Sequence, residues 1–180
     1  MVVEAGPRRD QPVVAPPDVA AGEAPRLYLT CMMAGMSYLV PTSAVREVEE
    51  VGAITPVPAT LRWLRGVMNL RGAIVAVVDL ALFLGLTAMP GAGTEALICT
   101  LDDDLTLALA VDTVSTIRTL TPAEILPLPE QATGETRDPV FHYLTGLYRV
   151  ASGDAAGLLG VLNLTSLLHT LVAERLHVPG

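Results

Sequence analysis

The chain has no lysine. All 11 basic residues are arginine, set against 19 acids, so 180 residues carry a formal net charge of −8. Phosphate neutralisation needs a basic face, and this shortage of positive charge excludes a nucleic-acid binder. It equally excludes a polybasic membrane-surface module. Cysteine is scarce. Cys31 and Cys99 are too few for a disulfide scaffold and lack the CxxC spacing of a zinc site. The sequence has no GxSxG, no GxxxxGK[ST] and no GxGxxG. Its three histidines, His142, His169 and His177, show neither HxxxH nor HExxH spacing. The run Asp102-Asp103-Asp104 lacks the glycine and distal glutamate of a calcium loop and reads as a solvated hairpin turn. No cofactor, no metal and no catalytic apparatus are therefore expected. An apolar stretch after Arg8 and Arg9 is also missing, so no signal peptide is read and a cytoplasmic protein is expected.

Apolar residues are abundant. They make up 51% of the chain, charged residues only 17%, and the mean hydropathy is +0.50. This balance excludes a mostly disordered chain, and the length suits one domain or two small ones. The longest apolar window, Gly72 to Met89, is nearly long enough to span a bilayer but carries Asp79 at its midpoint. A central Asp costs about 2.5–3.5 kcal/mol on insertion scales. The window reads better as a β-branched strand, Ala73 to Val78, followed by a short leucine-rich helix with Asp79 as its N-cap.

Residues 1–26 hold five prolines, four acids and three arginines without periodicity, and read as a disordered leader. The rest, 27–180, keeps a net charge of −7. Leu27–Ala34 and Met36–Val40 read as a hairpin turning at Gly35. Val45 to Val51 reads as a strand with one wet, acidic face at Glu47, Glu49 and Glu50. Ile54 to Pro58 is extended and Ala59 to Leu64 reads as one helical turn. Gly66–Asn69 and Ala73–Val78 are strands around the tight segment Asn69-Leu70-Arg71-Gly72. In the second half, Glu95–Leu101 pairs with Leu105–Val111. Strands at Val114–Leu120, Tyr143–Val150 and Leu158–Leu162 follow, then a helix from Asn163 to Leu176. Met89–Thr94 and Gln131–Asp138 are loops, and Thr121 with Glu124 forms a capped turn.

The two halves run in parallel. Leu64-Arg-Gly-Val67 resembles Leu144-Thr-Gly-Leu147, and Gly72-AIVAVVDLALFL resembles Gly157-LLGVLNLTSLL. An internal repeat offset by roughly 70–85 residues predicts two related β lobes of about five strands each. Barrels this small have much surface for their volume, so apolar strand residues are expected near the outside. Arg71, in a polar turn between apolar strands, is expected to fork onto Glu47, with both residues exposed.

Several segments together resemble the CheW family of chemotaxis coupling proteins. They are Val45-Arg-Glu-Val48, Ile54-Thr-Pro-Val-Pro58, Trp63-Leu-Arg-Gly-Val67, Asn69-Leu-Arg-Gly72, Val77-Val-Asp-Leu80, Ala110-Val-Asp-Thr-Val114, Ile125-Leu-Pro-Leu-Pro129, Tyr143-Leu-Thr-Gly146 and Val161-Leu-Asn-Leu164. The resemblance runs from about Leu27 to Leu176. It implies an all-β fold of two intertwined, SH3-like five-stranded barrel lobes with short helices and a C-terminal helix. It also implies a non-enzymatic adaptor between a CheA-type histidine kinase, through its regulatory domain, and the cytoplasmic tip of methyl-accepting chemoreceptors, working at membrane-associated arrays without inserting in the bilayer. By motif, Val45, Glu47, Gly66, Asn69, Arg71 and Gly72 become the candidate partner-binding residues. Two alternatives remain at this point: an adaptor of a non-flagellar pathway (pilus motility or gene regulation), and a small-molecule-binding β-barrel.

Overall fold

A computed structural model describes residues 24–58, 61–87, 93–101, 105–129, 139–150 and 157–175. The expected leader lies outside these residues up to 23. So do most of the Met89–Thr94 loop, the Asp102–Asp104 turn, the whole Gln131–Asp138 loop and the Ala151–Ala156 turn.

The first hairpin is β1 (Arg26–Met33) and β2 (Met36–Pro41), turning through Ala34 and Gly35, both at positive φ. A 3-10 turn, Thr42–Ala44, leads to β3 (Glu47–Glu50). The expected Val45–Val51 strand is thus only four residues long, with the chain curled from Pro41 to Ala44 just before it. The expected helical turn at Ala59–Leu64 is, in its described part, a simple turn closed by the Leu64 N–H on the Leu61 carbonyl. Next come β4 (Leu64–Leu70), β5 (Ala73–Asp79) and the short α1 (Leu80–Phe83). Asp79 caps α1 by accepting from the Leu82 N–H at 3.0 Å. The long apolar window therefore divides at Asp79, and no helix among the described residues is long and apolar enough to cross a membrane.

The second half supplies β6 (Glu95–Leu101), β7 (Leu105–Val111), β8 (Thr113–Leu120), β9 (Ile125–Leu126), β10 (Leu144–Arg149), β11 (Leu158–Leu162) and α2 (Leu164–Arg175). Tyr143, expected to open a strand, instead closes the 3-10 turn Pro139–Tyr143.

These strands form two sheets. One is ordered β8-β1-β2-β11-β10-β9, the other β3-β6-β7-β5-β4. Neighbours are antiparallel except β2 with β11 and β5 with β7, which are parallel. The second sheet closes on itself where Thr55, beyond β3, bridges to Val67 of β4. The first closes the same way, through β9 against β10. The two lobes are therefore barrels, but neither is one half of the chain. The middle segment, β3 to β7, makes one barrel, and the two ends make the other.

Three apolar cores follow from the pleat. On β6, Ala96 and Ile98 face the interior of their own barrel, while Leu97, Cys99 and Leu101 face a larger core between the sheets. On β1 and β2, Tyr28 and Leu39 face their own barrel, while Leu29, Cys31, Met33, Tyr38 and Val40 face the same intersheet core. Leu164, Leu167, Leu168 and Leu171 of α2 complete it. The expected stripe on that helix is thus its buried face.

Candidate functional site

The turn between β4 and β5 is set by local chemistry. Arg71 has φ +49 and Gly72 φ +90, two consecutive left-handed residues. That is the backbone of the hairpin turns that match strand twist. Gly72 has open space where a Cβ would stand, so its conformation, not crowding, calls for glycine. The Asn69 side-chain oxygen accepts the Gly72 N–H at 2.7 Å and locks the turn. The result is a rigid tip holding Arg71 outward, its side chain 67% exposed.

Arg71 reaches the far edge of its sheet. Its guanidinium meets Glu47 at 2.8 Å and also hydrogen-bonds Glu49. These carboxylates lie two apart on β3 and so share one face. Directly opposite them on β6 are Ile98 and Ala96, both part of the barrel's interior core. The carboxylates therefore stand on the inward face of the barrel, and Arg71 crosses to them from the β4–β5 turn. A cavity of about 180 Å³ adjoins the cluster, lined by Leu70, Ala73, Val75 and Thr106. The expected pairing of Arg71 with Glu47 is present. Glu47 is only 24% exposed, however, less open than expected, because it points along this inner face.

Glu49 is a second partner that the motif reading did not single out, although an i, i+2 spacing on a strand signals it. Glu50, grouped with them in sequence, lies on the opposite face, cross-strand from Glu95. Ion pairs open to solvent on one side contribute little to stability, about 0–1 kcal/mol.

The remaining motif residues divide. Val45 ends the Thr42–Ala44 turn and packs against the intersheet core. Gly66 is buried, with φ +138. A Cβ there would stand well inside contact distance of the Thr55 carbonyl oxygen and 2.9 Å from Ile54 Cγ2. It offers no surface and acts by letting Thr55 close the barrel. Val45 and Gly66 thus frame the site, while Glu47, Glu49, Asn69, Arg71 and Gly72 form it.

Apolar side chains stand in the open nearby. Ile74, cross-strand from Asn69, is 69% exposed, and Val48 is also exposed. Elsewhere Ile117, Leu158 and Leu27 are exposed. A larger open cleft, about 990 Å³, is lined by Leu27, Tyr28, Ile125, Leu126, Leu162 and Leu164. Among the described residues no three His, Cys, Asp or Glu side chains group as a metal site. Cys31 and Cys99 are free thiols, each pushed up to about 12, in both cases mainly by burial.

A family model described as the CheW-like domain matches residues 27–171. The chain belongs to the CheW-like family. Its relatives include the chemotaxis protein CheW of Rhizobium meliloti (strain 1021), 34% identical over 95 residues, 53% of this chain and 61% of that protein. The probable chemotaxis protein CheW of Rhizobium etli is 33% identical over 93 residues, 60% of its length. The chain thus matches about three fifths of the length of these two relatives. Protein FrzA of Myxococcus xanthus is 29% identical over 153 residues, 84% of this chain and 91% of that one. Among solved structures, the scaffolding protein TtCheW of Thermoanaerobacter tengcongensis superposes with a TM-score of 0.66 at 21% identity, covering 83% of this chain and 91% of that one. That likeness shows the same two-lobed β fold.

Proposed function

We propose that the chain is a non-enzymatic cytoplasmic adaptor that couples a CheA-type histidine kinase to the tips of chemoreceptors. It acts by linkage. Receptor signals reach the kinase only through contacts that the adaptor makes differently in the receptor's two states. The observation that supports this most directly is the family match over residues 27–171, with the family's motif arginine on an exposed, rigid turn. Such a tip, flanked by exposed Ile74, has the make-up of a docking surface, a charged rim beside an apolar contact. Val45, Glu47, Gly66, Asn69, Arg71 and Gly72 are proposed as this surface and its frame, and Glu49 is added to them.

Charge reversal tests it. Arg71→Glu and Glu47→Arg are each expected to weaken capture of the cognate kinase's regulatory domain about tenfold or more, with both variants still folding cooperatively by denaturant unfolding and Arg71→Glu, the more exposed site, changed in stability by no more than about 1 kcal/mol. The double reversal, which rebuilds an ion pair, is expected to recover part of the loss. Unchanged capture by both single variants overturns the site. Capture of a receptor-tip peptide, measured in parallel, tells a partner-specific loss from a general one. Motility assays in soft agar and on surfaces separate a flagellar from a pilus-driven pathway.

A further inference from the structure

The two barrels are built by reciprocal exchange within one chain. Take β1 to α1 as one unit and β6 to α2 as the other. In each barrel an edge strand (β3 or β8) pairs with the first strand of a hairpin (β6 or β1). The hairpin's second strand (β7 or β2) then runs parallel to β5 or β11, which returns against β4 or β10. The orders are identical, yet every hairpin lies in the barrel of the other unit.

Local detail repeats as well. The Arg46 N–H donates to the Ile98 carbonyl at 2.8 Å, and the Asp112 N–H to the Met32 carbonyl at 3.0 Å. The Asp79 N–H meets the Trp63 carbonyl, and the Asn163 N–H the Tyr143 carbonyl, both at 2.7 Å. Asp79 and Asn163 each cap the helix that follows at 3.0 Å. The strand register breaks at Gly66 in one barrel and at Gly146 in the other.

The exchanged hairpins are largely buried on both faces. Each gives alternate side chains to its own barrel core and to the core between the sheets. Removing a hairpin from one barrel therefore strips the intersheet core and detaches strands of the other unit.

We infer that the two barrels form a single cooperative unit, in which neither opens without the other. This goes beyond the adaptor reading and does not depend on it. For an adaptor with partners on different barrels, it means that strain reaches the second partner by rigid rotation, not by softening of one lobe.

Native-state hydrogen exchange on the full chain, without partners, tests the inference. The slowest amides exchange only through the largest cooperative opening. Met68 on β4 is 4% exposed and belongs to the core of one barrel only. Met68→Ala is expected to speed the slowest amides of β10 and β11, in the other barrel, by the same factor as those of β4 and β5, about 30-fold or more. Leu159→Val is a milder change in the first barrel's core. It is expected to act in the reverse direction by about threefold to tenfold, and it keeps the test open should Met68→Ala not fold. Acceleration confined to the mutated barrel, in either variant, overturns the inference. Because no partner is present, this failure is distinct from a failure of kinase coupling.

Discussion

Gly66→Ala isolates what closes the second barrel. Two costs add at this position. The backbone sits at φ +138, a region that side-chain-bearing residues rarely adopt, worth about 1–3 kcal/mol. A methyl group would also drive into the Thr55 carbonyl, backbone of the segment that bridges β4 and cannot swing aside as a flexible side chain can, and would approach Ile54 Cγ2. Overpacking of that kind costs about 1–3 kcal/mol. The sum, about 2–6 kcal/mol, is a large fraction of the 5–15 kcal/mol typical of a folded domain. Urea denaturation measures it, read on Trp63, the only tryptophan, which packs edge-on against Phe83 at 5.4 Å. With a slope of about 1–3 kcal/mol per molar, the midpoint is expected to fall by about 2 M. Gly52→Ala is the control, since nothing lies within 4 Å of its Cβ position and its φ is ordinary, and it is expected to be neutral or slightly stabilising. Gly146→Ala, crowded by Ile125 and Leu126 but free of positive φ, is expected to fall between the two. Equal midpoints for Gly66→Ala and Gly52→Ala would refute the reasoning.

Burial raises both thiols to about 12 in the folded chain, from an ordinary value of 9.0. Between pH 9 and 12 they stay neutral when folded and ionise when unfolded. Their contribution to stability is therefore complete below pH 9 and declines between pH 9 and 12, by about 1.4 kcal/mol per pH unit for each thiol. Melting temperature followed through that window checks the slope, and Cys99→Ala is expected to make it shallower. Asp79→Ala and Asn163→Ala each remove a side-chain cap and are expected to cost about 1 kcal/mol by denaturant unfolding.

Local chemistry was the legible part of the sequence. Asn69 and Gly72 mark a tight turn because few residues take left-handed φ, and Asp79 marks a helix start because its carboxylate meets a free N–H. The paired spacings at Leu64–Val67 and Leu144–Leu147 marked the repeat. What stayed hidden was non-local. The parallel pairings of β5 with β7 and β2 with β11 join strands far apart in the chain, and no residue pattern records them. Glu49 is hard to single out for a related reason. Its role depends on which face of β3 turns inward, which the pairing with β6 decides. The bounds of β3 are weakly marked in the sequence, because Val45, Val48 and Val51 recur every third residue and fit no period-2 strand face, while Pro41 begins a turn just before it.

The exchanged hairpins also account for the high hydropathy. A barrel of five strands with one wet side needs alternation, yet β6 and β7 read Ala-Leu-Ile-Cys and Leu-Ala-Leu-Ala-Val, almost without polar residues. Continuous apolar runs of this kind belong to strands covered on both faces. Both hairpins are covered, by a barrel interior on one side and the intersheet core on the other. Much of the apolar content that suggested a sticky exterior is therefore consumed inside. Among the described residues some large apolar side chains still stand in the open. Ile74 stands on the strand that leaves the Arg71 turn, Ile117 on the edge strand β8, and Leu158 at the start of β11, each more than half exposed. Since burial of the hairpins already supplies the cores, these side chains gain nothing for folding where they stand. Ile74, beside the arginine tip, is the one among them next to the proposed docking site.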